Sequence, residues 1–211
     1  MPTIVTPPEQ RVVLRNVSWE TYERLLTENL ERSSPRFTYD RGVLEIMSPS
    51  AEHEWYNRLL SDLVKLLGRE LRTDILDLGS TTFRQEQAER GFEPDSCFYI
   101  TRAGQLRGKE RIDLAIDPPP DIVVEVVVTH PSLNKFPICA ALGIQEIWSY
   151  DGSRLRMYGL SGSEYIDIPS SRILPELRAD QLTEVLELGK TLDSIAWPEE
   201  VIGRFRRSRV R

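Results

Sequence analysis

Apolar residues recur along this chain at two periods, and the switches between them mark out its elements. Tyr22, Leu25, Leu26 and Leu30 share one stripe at helical spacing and predict a first helix from about Trp19 to Leu30. Ser18 is its expected N-cap, with Val17 stapled to Tyr22. The alternating stretch RFTYDRGVLEIMS predicts a hairpin turning at Asp40-Arg41-Gly42. Tyr56, Leu59, Leu63, Leu66 and Leu67 then define the strongest helix, about Ala51 to Leu71, capped by Ser48 or Ser50. Short strands are expected near Asp74–Leu78, Thr81–Gln85 and Asp95–Ile100, followed by a polar, exposed loop over Thr101–Arg111.

The second half begins with Pro118-Pro119-Pro120, which ends whatever precedes it and leads into an apolar strand over Asp121–Val128. Thr129-His130-Pro131 turns the chain, and Ser132 caps a helix reaching about Leu142, with Gly143 as its stop and Pro137 in its second turn. Strands follow near Glu146–Tyr150, Arg154–Leu160 and Glu164–Ile168, and short helices near Leu182–Leu188 and Leu192–Ile195. A helix between the Asp121–Val128 and Glu146–Tyr150 strands suits a right-handed parallel crossover. The order of elements predicts an α/β fold with a central mixed β-sheet flanked by helices.

Composition narrows the class. At 211 residues, with 40% hydrophobic and 28% charged residues, the chain can bury one substantial core and is not a disordered polymer. No apolar run reaches membrane-spanning length, and MPTIVTPPEQRVV lacks a basic region followed by an apolar stretch, so a cytoplasmic location is expected. Cys97 and Cys139 each sit in an apolar segment outside any C-x-x-C pair and read as reduced, buried thiols. The net charge of -6 speaks weakly against bulk binding to nucleic acid, although metal-binding carboxylates would inflate the acidic count. Arg204, Arg206, Arg207, Arg209 and Arg211 form a basic patch that reads as a frayed, solvated tail. The absence of G-x-G-x-x-G, a Walker-type loop and G-x-S-x-G disfavours a small-molecule α/β enzyme.

Two acids carry the candidate chemistry. Glu125 stands in the middle of the apolar strand IVVEVVV, and Asp95 follows Pro94 where another strand begins. A carboxylate in a central strand needs compensation. It can come from an arginine or from an open end of the sheet. It can also come from a hard divalent cation shared by Asp95 and Glu125. Residue types and spacing leave these alternatives even.

The ordered set E-P-D (93–95), P-P-D-I-V-V-E-V (119–126), S-L-N-K-F (132–136) and G-I-Q-E-I-W (143–148) resembles the Uma-two family of restriction-endonuclease-like proteins. That family is abundant in cyanobacteria and belongs to the PD-(D/E)XK nuclease superfamily. The resemblance extends over most of the chain, taking in LEIMSPSAEHEWYNRLLSDLV before these motifs and LRMYGLSGSEYIDIPSSRILPEL after them. It implies one restriction-endonuclease-like domain over residues 1–211. Within it, 1–50 form an N-terminal helix and hairpin, 51–150 the catalytic core, and 151–211 C-terminal strands and helices.

The resemblance further implies metal-dependent hydrolysis of DNA phosphodiester bonds, with Mg²⁺ or Mn²⁺ held by Asp95, Glu125 and the backbone carbonyl of Val126. A homodimer is the expected assembly for cutting two strands. Lys135 supplies the catalytic lysine. In the superfamily's usual E-x-K pattern it would follow Glu125 by two residues, but here Val127 holds that place and the lysine comes from the next helix. A lysine stem of ~6 Å permits that displacement. Its role would be to orient the attacking water or offset developing charge. His53, Glu93 and Glu52 are accessory candidates. Val127 stands where close relatives tend to carry an acid. The alternative function is therefore a weakened or inactive relative acting as a DNA-binding or protein-interaction module.

Overall fold

The computed structural model describes residues 9–29, 32, 34–128 and 133–209. The chain opens with strand β1 (Gln10–Arg15), helix α1 (Trp19–Glu28) and the hairpin β2 (Arg36–Asp40) and β3 (Val43–Ser48). Arg41 and Gly42 both adopt positive φ, 46° and 87°, the two-residue geometry whose twist suits a hairpin. Helix α2 (Ala51–Leu71) follows, started by the Ser50 hydroxyl accepting from the His53 amide at 3.1 Å. Then come β4 (Leu76–Asp77), β5 (Phe83–Gln85), β6 (Arg90–Phe92), β7 (Ser96–Tyr99) and the short helix α3 (Ala103–Leu106). The second half runs β8 (Ile122–Val126), α4 (Phe136–Ala141), β9 (Glu146–Tyr150), β10 (Leu155–Ser161), β11 (Glu164–Ile168), α5 (Ala179–Gly189) and α6 (Ala196–Ser208).

These strands form two sheets. Five pair in the order β1-β3-β2-β6-β5, all antiparallel, and six in the order β11-β10-β9-β8-β7-β4. The six-stranded sheet is the expected mixed one: β8 and β9 are parallel, joined through α4, while its other pairs are antiparallel.

Strand alternation sends Val124 and Val126 to one face and Val123 to the other. On the first face Ile122, Val124, Val126, Trp148 and Met157 pack with Leu60, Leu63 and Leu67 of α2, Leu186 of α5 and Phe205 of α6. On the second face Val123, Cys97 and Ile147 meet Ile138 and Cys139 of α4, together with Phe83 and Phe92 of the other sheet. A third, smaller core lies between α1 and the hairpin, where Tyr22 stacks on Tyr39 at 4.9 Å. Gly91 is required there, because a Cβ would stand 2.3 Å from the Tyr22 hydroxyl. Both cysteines are free and buried, and burial pushes the Cys97 thiol up to about 12.

The differences from the expected elements have local causes. β1 pairs residue by residue with β3, yet its alternation is blunted by exposed Val12 and Leu14, which gives a weak sequence signal. The 101–111 segment is not a simple loop: Ala103 and Leu106 of α3 are buried. Helix α4 begins at Phe136, which puts Pro137 in the first turn, where it forfeits no hydrogen bond. Ser132, the 129–131 turn, Leu30 and Arg211 lie outside the described residues. Leu192–Ile195 precedes α6, whose extent to Ser208 makes Arg204, Arg206 and Arg207 helical. They reach solvent and pair with Glu184, Glu200 and Glu70, so this part of the patch is an ordered helix end and not a frayed tail.

Candidate active site

The chain crosses from one sheet to the other through Glu93-Pro94-Asp95, between β6 and β7. Asp95 is 1% exposed. Its backbone amide donates to the Val124 carbonyl, and its Oδ2 accepts from the Val126 amide at 2.6 Å, so the side chain reaches across the end of β8. Oδ1 lies 2.8 Å from His53 Nε2 and also contacts Arg36 Nη1. Helix α2 fixes this corner with a buried polar stripe at four-residue spacing, His53, Asn57 and Ser61. Asn57 donates to the Asp95 carbonyl at 2.9 Å and accepts from Ser96 Oγ at 2.8 Å, and Ser61 Oγ lies 2.9 Å from Ser96 Oγ.

Glu125 lies within β8, and Lys135 is the residue that caps α4. Lys135 Nζ donates to Glu125 Oε2 at 2.6 Å. The lysine displaced in sequence is thus in contact with the glutamate in space. Glu125 Oε1 is buried without a hydrogen-bond partner among the described residues. Val127, just past β8, is half-buried and donates its amide to the Tyr150 carbonyl at 2.8 Å.

Glu93 faces the same corner. It accepts from the Phe37 amide at 2.8 Å and from Thr82 Oγ1 at 2.7 Å. Burial raises its pKa, against the pull of those two bonds and of the positive charges of Arg36 and Lys135. Arg36, at the start of β2, donates Nη2 to Glu54 Oε1 at 2.5 Å, and its Nη1 is 3.4 Å from His53 Nε2. Burial lowers the Arg36 pKa, while Glu54, Glu125 and Glu93 oppose that fall in that order. His53 Nδ1 lies 2.7 Å from Glu9 Oε2, and Arg11 links Glu9 to Glu45.

The structure therefore gathers Asp95, Glu125, Lys135, His53 and Glu93 at one junction. It does not bring Glu52 there: that side chain is exposed and accepts from the Tyr56 hydroxyl at 3.4 Å. Arg36, Glu54, Asn57 and Glu9 were not anticipated. For Asn57 a signal existed, since polar residues at 53, 57 and 61 interrupt the flank of an otherwise apolar helix stripe.

The architecture is the restriction-endonuclease-like one. A crystal structure from Anabaena variabilis, described as "a putative nuclease belonging to DUF820", superposes on 81% of this chain and 99% of its own with a TM-score of 0.53. At 15% identity this likeness shows the fold alone. The chain belongs to the Uma2 family, whose model, described as "Putative restriction endonuclease", matches residues 19–194. No curated protein matches the sequence.

Proposed function

We propose that the protein is a divalent-metal-dependent endonuclease acting on DNA, with Asp95 and Glu125 as metal ligands and Lys135 as the catalytic lysine. One observation carries the reading: a lysine ten residues away from Glu125 returns to within 2.6 Å of its carboxylate, and the more deeply buried Asp95 accepts from the amide of Val126, the residue after Glu125. The donor set suits a hard cation, because both ligands are carboxylates and Glu125 Oε1 has no hydrogen-bond partner among the described residues. Among the described residues no three His, Cys, Asp or Glu side chains form a ready-made cage, so water and phosphate oxygens would complete the coordination, as Mg²⁺ usually requires.

When bound, the ion would polarise the phosphate and acidify an attacking water. The protein's own share is positional. The Val126 amide fixes Asp95, Asn57 holds the Asp95 backbone, and α4 presents Lys135. Held against Glu125, the ammonium can orient water by hydrogen bonding and offset charge that develops on the phosphate. The site draws its cation preference from hard oxygen donors, which fit Mg²⁺ or Mn²⁺. Among the described residues no helix is long and apolar enough to cross a membrane.

The test is a cleavage assay on supercoiled plasmid and on single-stranded DNA with Mg²⁺, Mn²⁺ or EDTA, using wild type, Asp95→Asn and Lys135→Ala. Metal-dependent nicking abolished by both substitutions is expected. The second reading, a weakened or inactive nuclease-fold module, is favoured by Val127, an apolar residue beside the acids. Val127→Asp adds a carboxylate next to them. Cleavage appearing only in that variant would select the second reading.

A further inference from the structure

A cation already stands at the acids, and it belongs to the chain. Arg36 is 5% exposed, and its guanidinium touches Asp95 with one terminal nitrogen and Glu54 with the other. It lies close enough to Glu125 and Glu93 for both to favour its charged form. Such a group has two ordinary roles, and neither fits well. As a phosphate-binding arginine it would need a free, approachable fork, but both terminal nitrogens are engaged and the side chain is enclosed. As a permanent structural ion it should be fully satisfied, yet its Nε is buried without a hydrogen-bond partner among the described residues. Its two carboxylates also differ. The Asp95 side chain is 1% exposed, whereas that of Glu54 is 36% exposed and can move outward with the guanidinium.

We propose that Arg36 is a displaceable internal cation. It neutralises Asp95 in the metal-free protein and yields that carboxylate to an incoming divalent ion, while Glu54 retains the guanidinium. Arg36 and the metal thus compete for one carboxylate, which makes Arg36 a residue that sets metal affinity. This inference rests on the metal-dependent reading above. Two like-charged acids are kept together without metal, and a cation must outbid a buried guanidinium to enter. Glu54 lowers the cost of displacement, because a buried arginine stripped of every acceptor would be strongly unfavourable.

The experiment is a calorimetric Mn²⁺ titration, with melting temperatures measured alongside, on the full chain as wild type, Arg36→Met, Arg36→Lys and Glu54→Gln. Methionine preserves the packed stem without the charge. Arg36→Met should bind Mn²⁺ roughly tenfold or more tightly than wild type and show a larger Mn²⁺-induced rise in melting temperature, from a lower starting point. Glu54→Gln should bind several-fold more weakly. Lysine cannot span Asp95 and Glu54 together, so Arg36→Lys should fall between wild type and Arg36→Met, and it decides the question if the methionine variant does not fold. Equal or weaker binding in the Arg36 variants overturns the inference alone and makes Arg36 a scaffold for the ligand. Binding in an Arg36 variant but not in wild type supports it in its strongest form. If neither wild type nor any variant binds Mn²⁺, the metal-dependent reading fails and the inference fails with it.

Discussion

Glu125 is held on one oxygen by Lys135 and on the other by no hydrogen bond from the described residues, and that asymmetry decides what each substitution does. Removing the lysine leaves a buried carboxylate with no described partner. Lys135→Ala should therefore cost about 1–3 kcal/mol of folding free energy, read by urea unfolding without metal. Added Mn²⁺ should recover much of that loss, since a cation can take over the neutralising role. An unchanged midpoint would show that the contact carries no energy. At this scale the sequence was informative where an acid interrupts an apolar run. Glu125 stands out for that reason, Asp95 stands out because it follows Pro94 where a strand begins, and the order of motifs pointed to Lys135. Arg36 did not stand out. An arginine after proline at the start of a strand looks like any surface residue, and only the crossing of β6 into β7 makes it an interior one.

Among the elements, periodicity placed α2 at its observed limits and the β2–β3 hairpin at its observed turn, because both carry long, regular patterns. It misplaced α6. The expected short helix over Leu192–Ile195 is the lead-in to that helix, where Asp193 Oδ1 accepts from the Ile195 and Ala196 amides at 2.9 and 2.8 Å. Those two bonds hold the Asp193 carboxyl below its usual range. A depressed acid stabilises the fold at pH above the ordinary aspartate range, and that contribution is lost as pH falls through the lower, folded value. Asp193→Ala should thus lower the melting temperature at neutral pH, and the gap from wild type should shrink below about pH 4. A gap independent of pH would mean that packing of α6, and not these two bonds, was lost. The two-residue β4 and three-residue β5 and β6 are too short to carry a period. β4 pairs with β7 and β6 with β2, partners far away in sequence, while β5 pairs only with its neighbour β6, and no local period records the division into two sheets.

At the scale of the molecule, the junction of the sheets is the candidate site. The Phe37 amide of β2 donates to Glu93, and the Val126 amide of β8 donates to Asp95, so one acidic segment takes a hydrogen bond from each sheet. Cation binding there should be felt on both sides. Amide hydrogen exchange with and without Mn²⁺ should show added protection at Phe37 and at Val126 together. Protection at Val126 alone would confine the site to the six-stranded sheet. The two-sheet arrangement was the part of the fold least visible in the sequence, which suggested one central sheet. The family resemblance supplied the fold class, but nothing local records that β6 and β7, three residues apart, belong to different sheets.

The order in which these groups leave the ribosome has its own consequence. Arg36 is synthesised first, then His53, Glu54 and Asp95, then Glu125, and Lys135 last. Strand β8 lies between β7, already made, and β9, made afterwards. A copy interrupted between residues 126 and 134 carries both acids and the guanidinium, but lacks the lysine and the strand that would seat β8. Broken messages and stalled translation would therefore yield fragments without the complete candidate site. On the function proposed above, an unfinished copy would lack the lysine that cleavage requires.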